Sequence, residues 1–436
     1  MATTTPEIVL PPLALKAAGD SESQRDVNLA KVLRSPGFPT LVLLLADTVG
    51  KWADRVILDF TAQHVGVRQQ VDGIWVDLPP MDRPTGDFML ATLKQLCNLD
   101  FREREVRQEA TFSGQLDPFK YKFHVRCQPV STGERVQIRV ELPRPQPAQL
   151  VEMGMRDKAF ERVKQMLKRG QGLLVSAALP GDGASMSWKG LRAAGDRFTA
   201  DFVTFEQRGC IEDDVINVGS VQYDSEEEFE DGFRVMLLKE PDTVFFSQVR
   251  SPKIMRLIVE KGLTSKRLMV VQIDARSAME AVFRLQVLGM TSDEIQQHLI
   301  GVVAHKTLRR LCVKCREAFE PDANLLSKLG IQPGRVRQFY KQFDPAAYTT
   351  MDNKGNPIPP PTCPTCGGTG FFARVGLFEV LENDATLKSI LQSRKKLSEA
   401  QQTWRAAGNP TFREEGLAML ALGLTSVEEL QRVLKS

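Results

Sequence analysis

Four of the seven cysteines in this 436-residue chain occur as two Cys-x-x-Cys pairs. Cys312 and Cys315 form the first pair, and Cys363 and Cys366 form the second. Each pair is followed by small or charged residues that let the backbone turn beneath a metal ion, which is the pattern of a tetrahedral zinc site with four thiolate ligands. Four thiolates leave no open coordination position, so the sequence predicts a structural zinc ion. A redox-active dithiol, the alternative, would need only one pair on a strand-to-helix turn.

The remaining cysteines stand alone in the sequence and are expected to be packing residues: Cys97, Cys127 and Cys210. An odd number of cysteines does not make an even disulfide framework, and together with the paired cysteines this favours a reducing compartment. No run of about 18 apolar residues and no secretory signal is found. A net charge of +3 gives no reason to expect nucleic-acid binding. These features predict a cytoplasmic protein.

A second stretch with possible chemistry is LLVSAALPGDGASMSWKG, residues 173–190. An apolar strand runs into a turn that holds Gly181 and Gly183, and a helix could begin directly after it. This is the setting of a phosphate-binding loop, whose glycines expose backbone N–H groups and whose lysine neutralises phosphate oxygens. Here the turn holds no lysine, Pro180 lacks an N–H donor, and Asp182 adds a negative charge. By itself the stretch is weak evidence for a nucleotide site.

The elements that must position these residues divide the chain into parts. Residues 1–35 are expected to be a flexible lead, and residues 36–142 a small α+β domain with a hairpin turn at Asp72-Gly73. Three prolines in PRPQPAQ mark a linker, which we place at 143–155. Beyond it, apolar strands alternate with helical segments, which predicts a largely parallel sheet covered on both faces. Past residue 300 the pattern is interpreted as helical around the cysteine-rich region.

Several longer strings resemble the ATPases of type II secretion and type IV pilus assembly, which are hexameric motors. The resemblance spans residues 36–436 and is carried by RQQVDGIWVDLP, LRRLCVKC, CPTCGGTGFFARVGLFEVLE and TFREEGLAMLALGLTSVEEL. It implies an α/β fold in which the small N-terminal α+β domain is followed by a RecA-like P-loop domain at 156–436. That domain would include the zinc region at 309–376 and a C-terminal helical part at 377–436. A further N-terminal domain, present in some members, is not expected before residue 36.

The resemblance also assigns the nucleotide-site positions of the family to this chain, and most of them are altered. The phosphate-binding loop aligns with residues 178–185, where the lysine is replaced by Ala184; counted one residue differently, Gly183 takes its place. One acid of the Asp box is replaced by Gln207, the Walker B glutamate by Gln248 and the His-box histidine by Asp274. An arginine that the N-terminal domain should supply is replaced by Thr111. The retained positions form a relic nucleotide site: Gly181, Gly183, Ser185, Glu206, Arg135 and Arg139.

These losses matter together, because each removed charge contact is worth a few kcal/mol of phosphate or transition-state stabilisation. They argue against ATP and Mg²⁺ as cofactors and predict a non-catalytic, structural or regulatory member with structural zinc. The alternatives are a divergent but active ATPase that powers pilus or pseudopilus assembly, and a module that senses a nucleotide or another anion. The resemblance implies a homo- or hetero-hexamer with a family paralogue, a cytoplasmic adaptor and an inner-membrane platform protein as partners. Contact with the inner membrane would then be peripheral and through partners only.

Overall fold

The computed structural model describes residues 11–131, 133–143, 147, 149–208 and 215–435. They form two compact units that are interleaved along the chain. The first contains the described residues of Met1–Pro145 together with Cys312–Cys315 and Phe343–Phe372. The second contains those of Gln146–Leu311, Arg316–Gln342 and Ala373–Ser436.

The first unit is built on an antiparallel seven-stranded sheet with the order β1-β5-β6-β7-β2-β3-β4. Apolar side chains alternate along its strands, and those of one face pack with three helices into a single core. The Asp72-Gly73 hairpin is confirmed, since both residues have positive φ, 47° and 86°, as a tight turn of this kind requires. The elements are β1 (Ala14–Lys16), α1 (Glu22–Leu33), α2 (Phe38–Gly50), β2 (Ala53–Phe60), β3 (His64–Val71), β4 (Ile74–Asp82), α3 (Arg83–Leu96), β5 (Gln108–Leu116), β6 (Phe119–Val130) and β7 (Gly133–Glu141).

The segment expected to be a flexible lead is structured from β1 onward, so that prediction is wrong for residues 14–33. Strand β1 pairs antiparallel with β5, and Leu15 is buried beside it. Helix α1 begins after Ser21, whose side chain accepts a hydrogen bond from the backbone N–H of Gln24, and it buries Val32. The apolar alternation around β1 covers only three residues, and its partner strand lies about a hundred residues away in the sequence. The local pattern was therefore too short to indicate a strand.

The second unit contains a seven-stranded sheet with the order β10-β9-β11-β12-β8-β13-β16. Neighbouring strands from β10 to β13 are parallel, as predicted, and helices cover the buried strands. The elements are α4 (Asp157–Leu167), β8 (Gly172–Ala177), α5 (Ala184–Ala194), β9 (Phe202–Gln207), β10 (Val218–Tyr223), α6 (Glu226–Leu238), β11 (Thr243–Phe246), α7 (Pro252–Leu257), β12 (Leu268–Ile273), α8 (Ala278–Val287), α9 (Ser292–His298), β13 (Leu299–Leu311), β14 (Glu317–Phe319), α10 (Ala323–Leu329), β15 (Phe339–Lys341), β16 (Phe371–Glu382), α11 (Ala385–Gln392), α12 (Leu397–Ala406), α13 (Phe412–Ala421) and α14 (Val427–Lys435).

Three further expectations are corrected by the second unit. The chain past residue 300 is not mainly helical, because β13 and β16 are strands of 13 and 12 residues. The predicted linker 143–155 is packed at its end, where Leu150, Met153 and Met155 are buried in the core with Trp188. The zinc region also does not stay within one unit, since its cysteines belong to the first and residues 316–342 to the second.

Among the described residues, none of the helices taken singly has the length and apolar character needed to span a membrane. Helices α1 and α2, bent by 102° relative to each other, satisfy those two criteria only when they are combined.

Candidate functional site

The four paired cysteines are brought together, as the sequence predicted. Their sulfur atoms all lie within 4.8 Å of one another. Cys312 Sγ is 3.9 Å from Cys363 Sγ, and Cys315 Sγ is 3.7 Å from Cys366 Sγ. Zinc–sulfur bonds of about 2.3 Å in a tetrahedron place the sulfurs about 3.8 Å apart. The donor set and its spacing therefore fit a four-coordinate metal ion without rearrangement.

Backbone turns in the first unit hold the two cysteine pairs in place. The N–H of Gly367 donates to the carbonyl of Cys363 at 2.9 Å, and the N–H of Cys312 donates to the carbonyl of Gly370 at 2.9 Å, which joins the two pairs. Gly367 has a φ of +61°, and an added Cβ would lie 2.4 Å from the carbonyl oxygen of Gly50. Only glycine fits there, because both the positive φ and the close backbone require it.

Electrostatics distinguish Cys363 from other thiols of the cluster, since burial raises the pKa of Cys315 and of Cys366. Burial opposes ionisation of Cys363, but N–H groups of Cys366 and Thr365 outweigh it and lower the pKa of this thiol to about 7. By contrast, burial raises the pKa of Cys97, and that of Cys127 to about 12. Both lie in the core of the first unit, as expected of packing residues, whereas Cys210 lies outside the described residues.

The predicted nucleotide-site residues of the second unit all follow or end strands at one edge of its sheet. Because β9, β11, β12, β8 and β13 are parallel, their carboxyl ends lie at the same edge, where ligands bind in open α/β sheets. Loop 178–185 follows β8, Glu206 is in β9, Gln248 follows β11 and Asp274 follows β12. Gln207, the last residue of β9, is exposed.

The loop itself keeps the backbone geometry of a turn that leads into a helix. Gly181 and Gly183 have φ values of +95° and +83°, and Gly183 caps α5 without a side chain. A Cβ on Gly183 would come within 2.9 Å of the His305 ring and of the Thr307 methyl group, so the loop lies directly against the middle of β13. Ser185 is exposed. Burial raises the pKa of Asp182, and nearby Lys306 and Arg432 oppose that rise. The loop's own carboxylate thus faces the cations that a bound phosphate would attract.

The acids at this edge are paired with arginines of the same chain. Arg192, on α5, places Nη1 3.6 Å from Glu206 Oε1, and both side chains are buried. Arg250 places Nε 2.8 Å from Asp274 Oδ2 in a more exposed pair. Sequence reasoning missed both arginines as site residues. The only available signal was for Arg250, which lies two residues after Gln248 in the same turn.

Arg135 and Arg139 are placed in the first unit, on β7. Arg135 forms an ion pair with Asp59 of the neighbouring strand β2. Arg139 is exposed and lies opposite Arg55 and His124 in the sheet register. It lines a cavity of about 480 Å³ together with Thr111 and His124. The two arginines therefore lie on a strand face among polar neighbours.

The C-terminal helix α14 is joined to β13 by a buried carboxylate. Glu429 accepts hydrogen bonds from the backbone N–H of Arg309 at 2.9 Å and from the guanidinium groups of Arg309 and Arg432. Burial alone would raise the pKa of Glu429, but these donors outweigh it and lower the pKa to about 2. The carboxylate is thus ionised at neutral pH and fixes the helix to the strand.

This fold, with its carboxyl-edge loop and four-cysteine cluster, is that of the secretion-type ATPases. A family model described as "Type II/IV secretion system protein" matches residues 35–432, and the chain belongs to that family. It is 25% identical to the type II secretion system ATPase E of Vibrio cholerae over 95% of this chain and 77% of the relative. It is 23% identical to the type IV pilus assembly ATPase PilB of Thermus thermophilus over 87% of this chain and 41% of the relative.

Solved structures support the same fold. The ATPase DotB of Legionella pneumophila superposes with a TM-score of 0.53 at 12% identity, covering 90% of this chain and 94% of DotB. The pilus retraction motor PilT, solved with bound ADP, gives a TM-score of 0.52 at 14% identity, covering 89% and 95%. At these identities the likeness concerns the fold alone.

Proposed function

We propose that this protein is a non-catalytic, structural or regulatory member of the type II secretion and type IV pilus ATPase family. It would act at the cytoplasmic base of such a machine. The observation that carries the proposal is the pairing at the carboxyl edge, where Glu206 is neutralised by Arg192 and Asp274 by Arg250. The acid kept from the family's Asp box is therefore already engaged by an internal cation.

The loop adds a second reason. A nucleotide's phosphates need convergent N–H groups and a lysine, and residues 178–185 supply a proline, an aspartate and no lysine. Asp182 instead lies in the field of Lys306 and Arg432, where its carboxylate replaces an anionic ligand. Gln248 can orient a water molecule but cannot accept its proton. Binding and hydrolysis of ATP are both disfavoured by these substitutions.

The proposal extends to the cofactor and the assembly. The four cysteines would hold a structural zinc ion, since their spacing matches a closed tetrahedral site. We further propose that the protein assembles as a hexamer with itself or with an active paralogue, and contacts a cytoplasmic adaptor and an inner-membrane platform protein. Support for this assembly comes from family membership and from relatives named as secretion and pilus ATPases.

Titration calorimetry and a phosphate-release assay with Mg²⁺-ATP test the proposal. The purified chain should give neither a saturable heat nor turnover, while the type II secretion ATPase E of Vibrio cholerae serves as the active control. A Ser185→Ala variant, which changes an exposed residue of the loop, guards against contaminating ATPases, since any turnover that belongs to this chain should fall in it. Turnover that is lost in this variant would support a divergent active ATPase. Saturable binding without turnover would support a sensing module.

A further inference from the structure

We infer that one edge of the first unit's sheet, at residues 74–78, pairs with the same edge of a second copy of this chain. Strand β4 is the last strand in the sheet order, and among the described residues it pairs only with β3. An edge strand presents backbone N–H and C=O groups to which another strand can be added. The inference concerns the first unit alone and does not rest on the proposed function.

Only one half of this edge carries features that prevent such pairing. Pro79 and Pro80 lie in the C-terminal half, where the register of β4 against β3 is also irregular. Prolines and bulges are devices by which sheet edges are protected from further pairing. The other half, Ile74–Leu78, contains no proline and no basic residue, and Asp77 is its single charge. This half of the edge is therefore open to another strand.

The hairpin determines which backbone groups face the open edge. Asp72-Gly73 is a two-residue turn, so the residues that flank it, Val71 and Ile74, form a hydrogen-bonded pair. Such pairs alternate with non-hydrogen-bonded pairs along an antiparallel ladder. The N–H and C=O groups of Trp75 and Asp77 therefore point away from β3. Each of these two residues offers one donor and one acceptor to an added strand.

The sequence Ile-Trp-Val-Asp-Leu complements itself when two copies run antiparallel about Val76. Trp75 of one copy then lies opposite Asp77 of the other, and each such pair exchanges two backbone hydrogen bonds. Val76 meets its own counterpart on the two-fold axis, and Ile74 lies opposite Leu78. A contact with this symmetry closes on itself, so it joins two chains and does not propagate into a filament.

The side chains on both faces suit this arrangement. Val76 lies opposite the buried Gln69 of β3, on the face that the helices cover, yet it is 44% exposed. Contact between two such valines would remove apolar surface from water. On the other face Trp75 is 37% exposed, and the guanidinium carbon of Arg68 lies 5.7 Å from the centroid of its ring. The Asp77 carboxylate would meet an indole there and not a second carboxylate, so like charges are not opposed.

Disulfide cross-linking of the full chain tests the pairing and its register. The Cα atoms of a non-hydrogen-bonded pair are about 4.5 Å apart, which a disulfide can span. Val76→Cys should therefore cross-link to itself under mild oxidation, and an equal mixture of Trp75→Cys and Asp77→Cys should give mainly the mixed dimer. The matched control is Val106→Cys, at an exposed apolar residue of the first unit outside β4, which should not cross-link above the level of the parent chain.

Charge substitution on the two-fold axis is an independent test. Because the interface is small, we expect a weak dimer with a dissociation constant between about 1 µM and about 1 mM. Val76→Lys and Val76→Glu should each weaken self-association about tenfold or more in sedimentation experiments, since like charges would meet on the axis. An equal mixture of these two variants should restore it, and Val106→Lys should leave it unchanged.

The outcomes separate this inference from the proposed function. Failure of Val76→Cys to cross-link above the Val106→Cys control would overturn the pairing, and so would predominant self-linking of Trp75→Cys, which would indicate another register. Self-association that is absent, or that is unchanged in Val76→Lys, would also overturn it. A ring built through other surfaces would persist in the Val76 variants, and ATP turnover is measured separately by the earlier assay. Circular dichroism of each variant confirms that the fold is retained.

Discussion

Replacing Glu206 with glutamine should destabilise the second unit strongly, because it would remove the carboxylate that pairs with the buried Arg192 guanidinium. The two side chains are only 4% and 3% exposed, and their charged atoms are 3.6 Å apart. With an effective dielectric constant of about 20, the attraction at that distance is about 5 kcal/mol. Removing one partner of a buried pair costs about 3–5 kcal/mol, since the remaining charge is still desolvated. We therefore expect Glu206→Gln to lower the free energy of unfolding by about 3 kcal/mol or more.

The double variant Arg192→Met/Glu206→Leu gives the complementary result. Replacing both charges by apolar groups removes the desolvation cost together with the attraction, so it should lie much closer to the parent protein than either single change. An exposed pair of the same unit, Arg208–Asp224, is the matched control, with side chains 60% and 52% exposed. Asp224→Asn should cost less than about 1 kcal/mol.

Urea unfolding followed by fluorescence is suited to this cycle because Trp188 lies one helical turn before Arg192 and is buried. Two compact units need not unfold in one transition, so hydrogen exchange of α5 and β9 should localise the effect. If Glu206→Gln cost no more than Asp224→Asn, the pair would not neutralise Glu206. That acid would then be available to a metal ion, and the main argument for a non-catalytic role would fail.

Three further predictions concern the metal cluster and the C-terminal helix. Cys363→Ser, or removal of the metal with a chelator, should abolish the stoichiometric zinc that mass spectrometry detects. Either change should also lower the melting temperature of the first unit, which contains the cluster, because metal binding contributes folding energy. An unchanged melting temperature would contradict this prediction. Gly367→Ala should weaken zinc retention through its clash with backbone, whereas Gly355→Ala, also at positive φ but in open space, should not. Glu429 has a pKa lowered from 4.5 to about 2, so the stability it contributes is present above pH 4.5 and is lost as the pH falls toward 2. Glu429→Gln should flatten this acid dependence and exposed Glu428→Gln should not, as measured by exchange of α14 at several pH values.

The sequence predicted those features whose signal is local. Two Cys-x-x-Cys pairs define a ligand set without any knowledge of the fold, and the sulfurs do meet within 4.8 Å. The Asp72-Gly73 turn is likewise specified by two residues that tolerate positive φ. The short apolar strands of the parallel sheet were recognisable because each is buried on both faces and is bounded by polar turns.

Features that depend on distant partners could not be predicted in this way. Strand β1 forms only by pairing with β5, which is distant in sequence. The sequence of the long strand β13 is compatible with a helix or a strand, and its pairing with β8 decides between them. The ion pair of Arg192 with Glu206 joins helix α5 to strand β9, and no sequence spacing indicates that these two side chains meet. The cysteine segment was assigned to the second domain by its neighbours in sequence. In the structure it packs with the first unit, where Trp52 meets the edge of Phe372 at 5.4 Å.

At the carboxyl edge of the sheet, the two acids Glu206 and Asp274 each form an ion pair with an arginine of the same chain. For Glu206 to face a magnesium ion it would have to leave Arg192, at a cost of about 3–5 kcal/mol. Separating the more exposed Arg250–Asp274 pair would add up to about 1 kcal/mol. A nucleotide bound with micromolar affinity gains about 8 kcal/mol, so these two costs alone would reduce that gain to about 2–5 kcal/mol. That range centres on millimolar affinity before the missing lysine is considered. The loop contains no lysine and places the Asp182 carboxyl in the field of Lys306 and Arg432, so the charge pairing and the altered loop lead independently to the same expectation of weak or absent nucleotide binding.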